Sequence, residues 1–339
     1  MSVKTREDIV AEVLKEIQEG IPFDIKPYKA LSERLFIPQD ELLDILREQK
    51  EKKIIRQISP IYDTKSLGYD SSLVAFSVEK ERLLEVANVI NQHPGVSHNY
   101  ERNNPFNLWF TIAVPPDSKL GLEETVRILA EKTGVEKYVI LRTKKFFKIG
   151  VKLNVKGSDK SKEEYREKKE AKRKLTEEEK RIIKETQFDL PLTERPFKQH
   201  AENLGLSEEE LVEKLKQFKE EGFMRRFAGI LNHRKAGFKA NGMVVWKVPE
   251  ERVEEVGRIL ASYKAVTHCY LRNTNEYWHY NLFSMVHGKG KEEVEDIVSD
   301  MRKETGINDY YILYSTKEFK KVRLKYFTED YYKWEEKHI

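Results

Sequence analysis

Residues able to do chemistry are concentrated between Val266 and Lys289, VTHCYLRNTNEYWHYNLFSMVHGK. This stretch holds three His, three Tyr and one Arg. It reads as two β-strands. In the first, His268, Tyr270 and Arg272 alternate, so the two-residue period of a strand sets them on one face. By the same rule Thr267, Cys269 and Leu271 point the other way, and Asn281, Phe283, Met285 and His287 share a face of the second strand. A strand with one buried face alternates apolar with polar residues. Here the polar positions carry ionisable rings and a guanidinium, a pattern suited to an anionic ligand. An exposed face of mixed polarity is the plainer alternative.

The pattern occurs twice. Val96 to Pro115, VSHNYERNNPFNLWFTIAVP, carries His98, Tyr100 and Arg102 in the same arrangement. Residues 21–43 match 190–212, 59–69 match 228–238, and 138–148 match 310–320. A period of about 170 residues is too long for a solenoid and indicates a duplicated domain pair. The copies differ where chemistry is concerned. His287 is matched by Ala113 and Tyr280 by Phe106, which favours the second copy as the working one. His233, Arg234 and Lys235 form a basic loop where the first copy has Asp63, Thr64 and Lys65. Arg and Lys donors beside a His-Tyr-Arg strand suit a ligand with several carboxylates. An ordinary exposed turn is the alternative.

These residues need elements to position them. Apolar spacing predicts helices over 5–19, 27–34 and 38–52, followed by an extended run over 54–61. Three short helices and a strand form a winged helix-turn-helix. Its third helix opens with Gln39, Asp40 and Glu41, and the second copy's with Glu208, Glu209 and Glu210. Carboxylates there repel phosphates, so these units read as scaffolds and not as DNA readers. Strands over 71–78, 96–102 and 106–114, helices over 79–92 and 121–133, and a last strand from Tyr138 give the order βαββαβ, a ferredoxin-like unit. The expected fold is therefore α+β, a tandem duplication of a winged helix-turn-helix unit plus a ferredoxin-like βαββαβ domain. The segments are 1–62, 63–155, a charged linker 156–176, 177–232, and 233–339 with an aromatic-rich tail. That tail is expected to pack on the other half or in a dimer.

Composition excludes several classes. Of 339 residues, 62 are Lys or Arg and 58 Asp or Glu, for a formal charge of +4. Such balance does not point to nucleic-acid binding. Cys269 is the single cysteine, so no intramolecular disulfide forms and a reducing, cytoplasmic setting fits. No apolar run approaches the roughly 20 residues of a membrane helix. His268, His279 and His287 lack Cys or carboxylate partners at ligand spacing, so no metal site is expected. No GxGxxG, Walker, HExxH or GxSxG pattern occurs.

The winged-helix and βαββαβ order resembles the Lrp/AsnC architecture. More specifically, LNHRKAGFKANGMVVWKVP, VTHCYLRN and YWHYNLFSMVHG resemble the siroheme decarboxylases, and HNYERNNPFNLWFT resembles the other subunit type of the heterodimeric enzymes. The whole chain thus looks like two family members fused. The resemblance implies loss of the C12 and C18 acetate carboxylates of siroheme, in making a d-type heme of nitrite reductase or in alternative heme synthesis. It implies no cofactor, because the iron tetrapyrrole is the substrate. On this reading His268 and His287 are the catalytic pair, one orienting the acetate and the other delivering the proton, and ligation of the substrate iron by one of them is the alternative. Tyr270, Arg272, Tyr280, Asn281, His233, Arg234 and Lys235 bind substrate, and His98, Tyr100 and Arg102 form a second surface. The two halves are expected to pair within one chain, and a further homodimer is compatible with this. Two other classes fit the architecture: an Lrp-like transcriptional regulator, and a tetrapyrrole-binding protein without catalysis.

Overall fold

A computed structural model describes residues 4–149, 170–232 and 240–339. The expected basic loop 233–235 and most of the charged linker lie outside the described residues. The chain divides into two compact units. One gathers the helical segments of both repeats with Lys325–Thr328. The other gathers both βαββαβ segments with Glu329–Ile339.

In the first unit, α1 (Arg6–Glu19), α2 (Pro27–Leu35) and α3 (Gln39–Glu51) precede strand β1 (Ile55–Tyr62). The second repeat supplies α6 (Glu177–Thr186), α7 (Lys198–Leu204), α8 (Glu208–Glu221) and β7 (Met224–Leu231). Capping boxes open α1, α6 and α8, where Thr5, Thr176 and Ser207 accept from the backbone N–H of Asp8, Glu179 and Glu210. Each satisfies a donor that the helix leaves unpaired. Strands β1 and β7 pair antiparallel, so the extended runs of the two repeats bond to each other.

The second unit carries the residues of interest. Repeat one contributes β2 (Asp70–Phe76), α4 (Leu83–Asn91), β3 (Val96–Arg102), β4 (Leu108–Val114), α5 (Gly121–Thr133), β5 (Tyr138–Leu141) and β6 (Thr143–Ile149). Repeat two contributes β8 (Ala240–Trp246), α9 (Val253–Ser262), β9 (Val266–Arg272), β10 (Leu282–Gly288), α10 (Lys291–Thr305), β11 (Tyr310–Lys321) and α11 (Glu329–Glu336). The strand order is β5-β2-β4-β3-β11-β8-β10-β9-β6. Two ferredoxin-like sheets are therefore joined edge to edge, and the join is an exchange. The far end of β11 pairs with β3, and β6, which follows β5 after Arg142, pairs with β9.

Helices cover one face of each sheet. Phe147, from the strand lent by repeat one, is buried in repeat two's core beside Val256 and Leu260. Phe319, from the strand lent by repeat two, packs on repeat one's core. The opposite faces share a third core, in which Ala75, Trp109 and Leu141 of one repeat join Met243, Phe283 and Leu313 of the other. Trp278, delivered by repeat two's longer β9–β10 connection, contacts Trp109 with ring centroids 5.2 Å apart. The C-terminal helix α11 packs on repeat one. Tyr331 is buried in its core, and the Glu335 carboxylate accepts from Ser118 Oγ at 2.6 Å and Lys119 N at 2.9 Å, just before α5. The tail thus docks on the other half, as its aromatic content suggests.

Candidate active site

Strands β9 and β10 lie side by side with His268 opposite Met285, Tyr270 opposite Phe283 and Val266 opposite Val286. The register shifts between the pairs at Met285 and Val286. Thr267 is the extra residue, a β-bulge, and a bulge re-aims a side chain that strict alternation would turn away. This corrects the expectation that Thr267 points away from His268. Thr267 Oγ1 lies 2.9 Å from His268 Nδ1 and 2.6 Å from His287 Nε2. His287 Nδ1 in turn lies 2.7 Å from Asn241 Oδ1, because Asn241 on β8 sits opposite His287.

The directions of these bonds follow from the atoms. A carbonyl oxygen only accepts, so His287 donates through Nδ1–H to Asn241 Oδ1. Burial pushes the His287 pKa down to about 4, so the ring is neutral near pH 7 and its Nε2 accepts. Thr267 spends its one hydroxyl proton on that nitrogen. Its oxygen then accepts from His268 Nδ1–H. In neutral His268 the basic nitrogen is therefore Nε2.

Tyr270 and Arg272 follow on the same strand. The Tyr270 ring is 5.9 Å from His268 and 5.2 Å from Phe146 of the exchanged strand, centroid to centroid. Arg272 is buried. Its guanidinium lies under Tyr270 and beside Phe283, at 4.9 and 5.2 Å from the ring centroids. Its Nη1 donates to Leu141 O at 2.9 Å and Thr143 Oγ1 at 3.0 Å, across the β5–β6 junction. Burial pulls its pKa down to about 10, with Tyr270 opposing. The side chain anchors the exchanged strand and the tyrosine from beneath.

Tyr280 and Asn281 are not brought to the histidine pair. They sit before the first residue of β10 and His287 near its last, roughly 20 Å apart at about 3.3 Å per strand residue. Asn281 accepts from Val248 N at 2.9 Å and donates to Val248 O at 2.8 Å. Asn107 does the same with Val78 in repeat one. Both amides hold strand ends together. Tyr280 donates to Asp309 Oδ1 at 3.0 Å. His279 lies exposed in the connection between β9 and β10.

Repeat one repeats the backbone but not the second imidazole. Its bulge falls at Ser97, whose Oγ is 2.9 Å from His98 Nδ1 and 2.9 Å from Thr111 Oγ1. Ala113, opposite Ser71, replaces the second imidazole. Arg102 is buried and donates to Leu313 O at 3.2 Å, mirroring Arg272. Glu318 stands opposite Tyr100 where Phe146 stands opposite Tyr270. Burial and then Glu318 push the Tyr100 hydroxyl pKa up, with Arg102 opposing. Among the described residues, no group of three or more His, Cys, Asp or Glu side chains is placed to hold a metal ion.

Comparison with known proteins places this arrangement. Residues 66–148 and 235–320 match the AsnC-like ligand binding domain. Residues 11–56 and 179–225 match the siroheme decarboxylase NirDL-like HTH domain. The siroheme decarboxylase of Hydrogenobacter thermophilus is 49% identical over 95% of this chain and 96% of its own. The siroheme decarboxylase beta subunit of Methanosarcina barkeri is 43% identical over 43% of this chain and 95% of its own. A crystal structure of the siroheme decarboxylase NirDL superposes with a TM-score of 0.80 at 44% identity, covering 97% of each chain. A second NirDL crystal structure, in co-complex with an iron-uroporphyrin III analogue, also gives 0.80 at 44% identity, over 97% of this chain and 98% of that one. Matched end to end by single-chain relatives and in both repeats by the family's domains, this chain belongs to the siroheme decarboxylase family.

Proposed function

We propose that this chain decarboxylates siroheme at the C12 and C18 acetates to give 12,18-didecarboxysiroheme and carbon dioxide, and that repeat two does the chemistry. The observation that carries the assignment to repeat two is the Thr267-linked pair of imidazoles, which repeat one lacks. In each decarboxylation the bond between the methylene and carboxylate carbons breaks. Its electron pair remains with the methylene carbon and the conjugated ring, carbon dioxide leaves, and one proton completes a methyl group. A positioned imidazole is suited to deliver that proton near neutral pH. His268 is the donor in this scheme, and half-buried, neutral His287 orients it.

Tyr270 and Phe146 offer ring faces to a flat macrocycle. Arg272 contributes positive charge beneath Tyr270 and holds the strand carrying Phe146, in place of the direct carboxylate clamp its sequence position suggests. His233, Arg234 and Lys235 are assigned to peripheral carboxylates. A regulatory role is disfavoured by the acidic first turns of α3 and α8, which oppose phosphate contact. The test is anaerobic incubation with siroheme and measurement of the product mass. Loss of two carbon dioxide units supports the proposal, and binding with unchanged mass overturns it.

A further inference from the structure

We infer that Thr267 is a positioning residue: linked through His287 to Asn241, it fixes the tautomer of His268 so that the proton for the substrate methylene is carried on Nε2. This inference rests on the decarboxylase reading and deepens it. The hydroxyl has one proton and faces two imidazole nitrogens, at 2.6 and 2.9 Å. It can donate to one of them alone, so the other must donate to it. Asn241 Oδ1, 2.7 Å from His287 Nδ1, decides which. The chain then runs one way, from His268 Nδ1–H to Thr267, from Thr267 to His287 Nε2, and from His287 Nδ1–H to Asn241.

Consider protonated His268, with a proton on each nitrogen. When the acetate C–C bond breaks, Nε2–H gives its proton to the carbon that keeps the electron pair. Neutral His268 is left with Nδ1–H still bonded to Thr267. The ring need not rotate, and a solvent proton restores Nε2–H. Thr267 is 4% exposed, so water does not readily take over its part. Repeat one supplies a contrast within the same molecule. Ser97 bridges His98 to the Thr111 hydroxyl, and either hydroxyl can be the donor.

The test compares Thr267→Val, close in shape but without the hydroxyl, with Thr267→Ser, which keeps it. Nitrogen-15 spectra of the eight histidines, assigned through His268→Gln and His287→Gln, read the tautomer of His268 with no substrate present. Siroheme turnover is followed against pH in parallel. The expected result is Nδ1–H in the wild type and in Thr267→Ser, and a mixture in Thr267→Val. Turnover of Thr267→Val should fall at least roughly tenfold with a displaced acid limb, while Thr267→Ser stays near wild type. An unchanged tautomer in Thr267→Val overturns the inference, as does a mixed tautomer with unchanged turnover. A wild type that leaves siroheme unaltered defeats the decarboxylase reading itself, while the spectra still decide whether Thr267 governs His268.

Discussion

At the scale of single residues, the site turns on two imidazoles made unequal by their surroundings. Burial pulls the His287 pKa down to about 4, so in the proposed scheme it orients and does not supply the proton. Replacing it with Ala should leave siroheme binding measurable by absorbance titration. Turnover should drop by about two orders of magnitude, the scale of a lost acid–base group. Turnover near the wild-type rate would remove His287 from the mechanism. Much of this was legible in the sequence: strand alternation does place His268, Tyr270 and Arg272 in one row. Thr267 escaped because a bulge breaks the two-residue period, and nothing in VTHCYLR marks where the break falls. The signal that could have found it is the hydroxyl at the same place in both repeats, Ser97 and Thr267. The pairing of Asn281 with the Val248 backbone is not legible either, because a polar residue at a strand end carries no mark of its long-range backbone partner.

At the scale of elements, the exchange of fourth-strand extensions determines what surrounds each site. It sets Phe146 beside Tyr270 and Glu318 beside Tyr100. Neither TKKFFKI nor STKEFKK has a strong alternation, and pairing with the other repeat is a long-range choice that local pattern does not encode. The helices were easier, because caps and apolar spacing are local; α5 spans the predicted 121–133. Gly257 on α9 is a direct probe of the exchange, since a Cβ there would land on the buried Phe147 ring. Gly257→Ala should therefore cost about 1–3 kcal/mol from overpacking, although Ala is the better helix former. Urea unfolding would read this as a lowered midpoint, and pairing with Phe147→Leu should recover part of it. An unchanged or raised midpoint for Gly257→Ala would mean that β6 does not rest on α9.

For the whole molecule, duplication explains the order of segments and leaves their grouping open. The β1–β7 pairing and the shared core of Trp109, Trp278 and Phe283 both cross between repeats, and a pattern read within one repeat cannot specify either. One consequence is an acid-sensitive fold. His93 is buried between the rings of Tyr331 and Trp334 on α11. Burial, helped by Lys320 and His338, pushes its pKa down to about 3. The unfolded chain takes up that proton near pH 6.5. The stabilisation from keeping His93 neutral is thus complete above about 6.5 and is lost as pH falls toward 3, on the order of 3 kcal/mol by pH 4.5. His287 adds to the loss in the window between about 6.5 and 4. Urea midpoints at pH 7.5 and 4.5 should diverge in the wild type and less so in His93→Phe. Equal divergence in the two proteins would clear His93 of the effect.

In the proposed scheme the second repeat works and the first, despite its matching His-Tyr-Arg row, does not. Product masses from anaerobic incubations of siroheme with His98→Ala and His268→Ala test it most directly. We expect His98→Ala to release both carbon dioxide units at a rate close to wild type, and His268→Ala to slow by at least about a hundredfold. Rapid decarboxylation by His268→Ala, together with its loss in His98→Ala, would place the chemistry in the wrong half of this account.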